Sequence, residues 1–550
     1  MGVTRLAGIG LTAVGIFVFF TSGVADIGIG SPTAIGAAVA PAGGEPAGKP
    51  TATPPFVPPS SPDTAAPMVI ERTAGSPCSA NIAWMLVAGF VVMLMQAGFG
   101  LVEAGLCRAK NATHTMSMSL MIFPLGCIAF WAYGFALGWG NLLHAAGPAG
   151  WSAALGPGTA ALNRGWGLGA LLDSAGRPSG AFAYGLLGLK GFWGHGLDNL
   201  GVAALFFLMM MFLCTTAAIA VGSMLERWSW KNFCLYGLWV ALPFGVYAHW
   251  LWGGGWLARC GANWNLGHGA VDLAGSGVIH ALGGTVALAG TLALGPRLGK
   301  YREGRPMPIP GHHVPMVVVG TLILAFGWFG LTGGCSLAGT DLAMSVIVVN
   351  TALAGAAGAV AAMLMLRMKR IKPDPTIMSN GLLAGLVAIA GSCGLVDSWA
   401  AVVIGAVAGM LVVASVFFWE KHRVDDPVGA ISVHGVAGLW GLIAVGIFAN
   451  GQYGAGCNGV VRPWVLAGAA KSVGYDGVRG LLYGDASQLA AQATSAAAVL
   501  LFGFVTAYAC FKLSDRITPM RVGRDTELQG LDAPEMGAVA YPDFTVTTRS

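Results

Sequence analysis

Charge is what this 550-residue chain most lacks: Asp, Glu, Lys and Arg together supply 10% of it, against roughly 25% in an ordinary soluble domain. A water-solvated body for most of the chain is thereby excluded. The ten cysteines are scattered with no CxxC pair, so neither a structural zinc site nor a dense disulfide framework is supported. Those inside apolar runs read as small core residues. Cys78, Cys260 and Cys457 fall in segments placed outside a bundle, which leaves a disulfide among them open without giving its pairing. No nucleophile, metal-ligand cluster or carboxylate pair emerges, and this argues against an enzyme. The net charge is +5, but its Lys and Arg sit in short clusters between apolar runs rather than on one basic face, which argues against nucleic acid as a partner.

What the chain has in plenty is apolar: 55% of it is hydrophobic, and 85 residues are glycine. Runs of roughly 20 apolar residues recur from Asn81 to Phe511, each long enough to cross a hydrocarbon core of about 30 Å as a helix. Glycine spread through such runs lets helix backbones approach closely. The expected class is an all-α integral membrane bundle in a lipid bilayer.

Residues 1–25 carry Arg5, an apolar stretch from Leu6 to Phe20 and small residues through Ala25, the layout of a secretory signal. Residues 26–80 are rich in Pro, Ala, Gly and Thr and read as a disordered linker. From 81 to 511 eleven candidate spans begin near residues 81, 114, 200, 232, 270, 314, 339, 376, 399, 429 and 487, and 512–550 form a tail. Lys and Arg are about twice as numerous in one alternate set of connections as in the other. By the positive-inside rule the richer set is cytoplasmic, so Asn81 starts outside and the tail ends in the cytoplasm.

A repeat is legible. Asp272 is followed by Gly275, Ile279, His280 and Gly284, and Asp426 at the same offsets by Gly429, Val433, His434 and Gly438. These are the fifth and tenth spans, which run in opposite directions, so the plan is two five-helix halves of inverted topology plus one peripheral helix. In such a plan the substrate path lies where the repeats meet. A polar ring in an apolar span faces the bundle interior. Two of them at equivalent places in an inverted repeat should meet near the bilayer centre. Two imidazoles without a third His, Cys or carboxylate fall short of usual zinc coordination. A neutral pair can instead pass a proton or hydrogen-bond a small polar molecule.

The motifs around these residues resemble the ammonium transporter family, which includes methylammonium permeases and Rhesus proteins. They are GFGLVEAGLCRAKN from Gly98, GSMLERWSW from Gly222, AHWLWGGGWLA from Ala248, DLAGSGVIHALGG from Asp272, GWFG from Gly327, NGLLAGLVAI from Asn380, VDDPVGAISVHGVAGLWG from Val424 and YGDASQLAAQ from Tyr483. The resemblance implies a homotrimer in the cell membrane with one pore per subunit, no cofactor, and ammonium or ammonia as substrate. It implies that His280 and His434 line the conduction pore and that Trp252 attracts a bare cation at an outer recruitment site. Asp272 supports recruitment in this reading, or is only an N-cap accepting backbone N–H groups. Phe212 matches one half of a stacked phenylalanine gate.

Departures from the family pattern fall at the outer end. Leu331 stands where the second gate phenylalanine is expected and Cys335 where a recruiting serine is expected. Leu208 and Met209 replace an aromatic and a Gln, and the 141–199 connection is unusually long. The tail segment from Gly530 resembles one that couples subunits and helps dock a PII-type regulator. The expected function is ammonium recruitment, deprotonation and ammonia conduction, with or without the proton. The alternatives are a sensor signalling to a cytoplasmic partner, for which about 39 residues after Phe511 leave little room, and an electroneutral Rhesus-like ammonia channel.

Overall fold

A computed structural model of the chain describes residues 77–140, 185–454 and 477–544, with short pieces between them. The expected signal segment and linker lie outside the described residues, except that 77–80 already belong to the first helix. Among the described residues ten helices are long and apolar enough to cross a membrane: α1 (Ser79–Leu106), α2 (Ala109–Trp139), α3 (Leu200–Ser223), α4 (Trp230–Trp264), α5 (Ser276–Leu294), α6 (Val314–Gly334), α7 (Met344–Met368), α9 (Ser398–Lys421), α10 (Ile431–Phe448) and α11 (Ala486–Ile517). Between α7 and α9 lies α8 (Pro375–Ala390), apolar but only 16 residues long, a rise of about 24 Å. Its ends show why it starts and stops. Asp374 accepts from the Thr376 N–H ahead of Pro375, a cap followed by a helix-compatible proline. Beyond Ala390 the chain turns to pair Leu273 N–H with Gly391 C=O and Ala274 N–H with Ala390 C=O.

The repeat in the sequence is a repeat in space. Asp272 accepts from Gly275, Gly277 and Val278 N–H, and Asp426 accepts from Gly429 and Ile431 N–H. Gly275 and Gly429 both take positive φ, 91° and 81°, a turn that other residues adopt only under strain. Each turn leads into a π-helical stretch, Ser276–Ala281 in α5 and Ile431–Val436 in α10. Widened turns of this kind are frequent at functional sites, and here each carries the histidine.

The two bulged helices cross at their glycines. A Cβ on Gly284 would lie 2.1 Å from Gly435 N, and one on Gly438 would lie 2.5 Å from Ser276 O, so each repeat's glycine admits the other's bulge. Gly284→Ala is expected to cost about 1–3 kcal/mol by overpacking and to lower the melting temperature in detergent. Gly126→Ala, whose Cβ would meet only the Cys214 Sγ at 3.5 Å, is expected to melt like the wild type.

Small residues also close the α7, α8 and α9 layer. A Cβ on Gly405 would lie 2.1 Å from Ala354 O, and one on Gly409 would lie 2.2 Å from Gly358 O. The four-residue spacing on both helices is the small-residue packing expected without a hydrophobic drive between spans. α11 runs to Ile517, past the Phe511 at which the sequence reading ends it, and packs on α5 and α10 from outside the paired halves. In the 141–199 connection two short strands pair, β1 (Gly165–Gly167) and β2 (Gly185–Gly188). β2 lies over the end of α2 and the middle of α4, where Trp250 Nε1 donates to Leu186 C=O at 3.0 Å. Cys260 and Cys457 are buried free thiols, so neither is in a disulfide, and the Cys78 side chain lies outside the described residues.

Candidate functional site

His280 and His434 stand together at the crossing of α5 and α10. Their Nδ1 atoms are 3.2 Å apart and their rings stack at 5.3 Å with 26° between planes. A neutral imidazole carries one N–H, so a Nδ1 to Nδ1 contact forces opposite tautomers. The donating ring is left with a bare Nε2 acceptor, and the accepting ring carries its proton on Nε2. The His280 Nε2 is buried without a protein partner. The pair therefore offers one donor and one acceptor to a small guest, and two imidazolium rings are disfavoured at that separation.

Three residues that sequence reasoning passed over complete the surroundings. Trp328 of α6 stacks on His280 at 4.9 Å and 16°, and Phe99 of α1 lies 6.1 Å from His434. Glu103, one turn on from Phe99, lines a narrow cavity of about 20 Å³ together with Phe99, Ile219, Asn380 and His434. Both α1 residues lie inside the GFGLVEAGL motif, and a carboxylate inside an apolar span was the available signal.

At the other end, the glycines after Leu251 break α4 before Trp256. A Cβ on Gly253 would lie 2.1 Å from Gly138 O, so the break can fit against α2 only without a side chain. Trp252 is thereby turned inward, 2% exposed, with its Nε1–H given to Asp272 C=O at 2.7 Å and its ring 6.1 Å from Phe212. Asp272, also 2% exposed, spends its carboxylate on the three N–H groups that start α5, which is the N-cap alternative of the sequence reading. Leu331 is buried three residues past Trp328, and Cys335 follows the end of α6 as a buried free thiol near Cys393 and Asp272. Leu208, one turn before Phe212 on α3, packs by this end of α6, 3.4 Å from where a Gly334 Cβ would stand.

The segment before Asp272 is held by two glutamines of α11 that sequence reasoning also missed. Gln488 accepts from His268 N–H and donates to Gly269 C=O, while Gln492 accepts from Val271 N–H and donates to Val271 C=O. Their four-residue spacing on an apolar helix was the signal.

The model of the Ammonium Transporter Family matches residues 83–541 of this chain. The chain belongs to the ammonium transporter family. It is 41% identical over 472 residues to ammonium transporter Amt2 of Archaeoglobus fulgidus, covering 85% of this chain and 89% of that one. Ammonium transporter Amt1 of the same organism is 32% identical, with 84% and 99% covered. A solved structure titled Sensor Amt Protein superposes with a TM-score of 0.67 at 27% identity, over 84% of this chain and 99% of that one. Candida albicans Mep2 shares the fold with a TM-score of 0.64 at 24% identity, over 84% of this chain and 90% of that one. Membership makes this a multi-pass membrane transport protein for ammonium or ammonia rather than an enzyme.

Proposed function

We propose that the chain takes up ammonium at an outer site, strips its proton, and conducts ammonia past His280 and His434. The stacked, hydrogen-bonded imidazole pair buried at the crossing of two repeat helices carries this reading. Ammonium resembles potassium in charge and size but can give up a proton. Carrying the intact ion through an apolar pore costs several kcal/mol or more, whereas ammonia can trade hydrogen bonds with one Nε2 acceptor and one Nε2–H donor.

In this reading Trp252 recruits the cation, Cys335 takes the place of a recruiting serine, and Phe212 and Leu331 form the gate. Asp272 acts by fixing the Trp252 indole through its carbonyl and by starting α5. The proposed setting is a homotrimer in the cell membrane, with the 81–511 transport body beginning outside and the 512–550 tail in the cytoplasm behind a cleaved signal and a linker. The tail is a suitable place for a PII-type regulator: Asp532 accepts from His114 N–H, Glu535 from Trp230 N–H, and Lys110 donates to Glu527 and Leu528 carbonyls. A partner that lifts the tail would act on the ends of α2 and α4.

The test is ammonium uptake and ammonium-evoked current in liposomes reconstituted with the purified protein, with potassium as competitor. Saturable ammonium uptake that potassium does not inhibit supports the reading, and its absence refutes it. Trp252→Leu is expected to raise the half-saturating ammonium concentration about 2- to 30-fold, the loss of roughly 0.5–2 kcal/mol of cation–π attraction. An unchanged concentration would remove Trp252 from the recruitment site.

A further inference from the structure

We propose that Glu103 is a proton-carrying residue of the pore, exchanging a proton with His434 across the cavity they share and delivering it to the ammonia that leaves. This rests on the conduction reading above and on the proton following the substrate.

Glu103 is 2% exposed inside α1, and among the described residues no Lys or Arg comes within ion-pair distance of it. An ionised carboxylate left unpaired in such a place is costly enough that the neutral acid is the resting form. Its hydrogen bonds fit an acid. The Ser119 Oγ lies 2.8 Å from Glu103 Oε2 and 3.1 Å from Thr115 C=O. A hydroxyl has one proton, so Ser119 can give it to Thr115 and receive the proton of Glu103.

The neighbours that α3, α8, α10 and α4 bring are otherwise uncharged. α3 brings Gly222, whose Cβ would stand 3.2 Å from Glu103 Oε1. α8 brings Asn380, and α10 brings His434. On α4 the Tyr236 hydroxyl already donates to Ala217 C=O at 2.7 Å. His434 is thus the one titratable group on the cavity wall with which Glu103 can trade a proton. Gly222 lies ten residues beyond Phe212 on α3, about 15 Å along the helix, so Glu103 is at the far end of the path from Trp252.

The step balances. Ammonium entering from the Trp252 side gives its proton to the imidazole pair, one N–H bond breaking as another forms on a ring nitrogen, and goes on as ammonia. The Glu103 O–H bond then breaks as a new N–H bond forms on the emerging ammonia, and the carboxylate left behind is reprotonated through His434.

Glu103→Gln keeps the size and hydrogen bonds of the neutral acid but cannot give up a proton. It is expected to reduce ammonium-evoked current about 10-fold or more and to abolish the dependence of the residual current on pH at the tail-side face, with Glu103→Asp recovering part of both. Wild-type current and pH profile in Glu103→Gln would overturn the proposal, and so would saturable wild-type uptake without any current, which leaves the transporter reading standing. If Glu103→Gln does not elute as a folded protein, Ser119→Ala decides. Losing the acceptor of the acid proton is expected to move the inflection of current against pH down by about one unit, and an unmoved curve overturns the proposal.

Discussion

Replacing His280 and His434 together by alanine is expected to cut selective ammonium uptake by at least about 100-fold while the protein still inserts and purifies. Each ring sets the tautomer of the other through their 3.2 Å contact, so the pair presents its donor and acceptor only as a unit. Either single alanine variant should therefore lose nearly as much as the double, the non-additivity expected of groups that act together. His280→Ala also strips the ring that stacks on Trp328 at 4.9 Å, freeing the indole to move into the pore. Uptake by proteoliposomes and ammonium-limited growth of a transport-deficient host are the measurements. Selective growth on low ammonium with both histidines gone would overturn the conduction path.

The histidine pair was legible because two independent signals in the sequence coincide. A ring in an apolar span must face inward, and the Asp, Gly, His and Gly offsets recur in a span of opposite direction. Those offsets encode backbone geometry as well as chemistry. The Asp caps, the glycine takes positive φ, and the second glycine makes room for the other half's bulge. The π-helical bulges were not legible, because they arise from how the capped turn meets the crossing helix rather than from any local composition. Trp328 and Phe99 were hidden for a related reason: an aromatic in an apolar helix looks the same whether it meets lipid or an imidazole. The short α8 was readable in position, with its start expected near 376 and found at Pro375, but its length depends on the backbone pairing beyond Ala390.

The positive-inside count treats Lys and Arg as solvated loop charges, and for several of them this is not so. Arg227 is fully buried and Arg297 is 4% exposed. Both belong to a buried ion network that no motif announced as such. Arg297 forks onto Asp425, with Nε to Oδ2 and Nη2 to Oδ1 both at 2.9 Å, and reaches Glu226 with Nη1 at 2.8 Å. Arg108 pairs with the other Glu226 oxygen. Arg227 donates to Asp425 C=O and Gly295 C=O. Glu226 holds positive φ at 71° to aim its carboxylate inward, a strained backbone that its surroundings must fix. The network ties the ends of α1, α3 and α5 to the start of α10, and so closes the two repeats at the face opposite Trp252.

Asp425→Asn is accordingly expected to destabilise the protein by roughly 3–5 kcal/mol, because it leaves Arg297 and Arg227 buried with half their countercharge. The pH dependence has a definite sign. Burial alone would raise the Asp425 carboxyl, but the Arg227 charge and the Arg297 hydrogen bonds outweigh it and hold the group well below the usual carboxylate range. A depressed folded-state value means the stabilisation is complete above the unfolded value of about 4 and is lost as pH falls below it. Wild-type melting temperature in detergent should thus fall below about pH 4, and Asp425→Asn should melt lower at neutral pH with a flatter acid limb. Equal melting of the two proteins at pH 7 would mean that the fork adds nothing to the closure of the repeats, and that the crossing of α5 and α10 at their glycines holds the halves together alone.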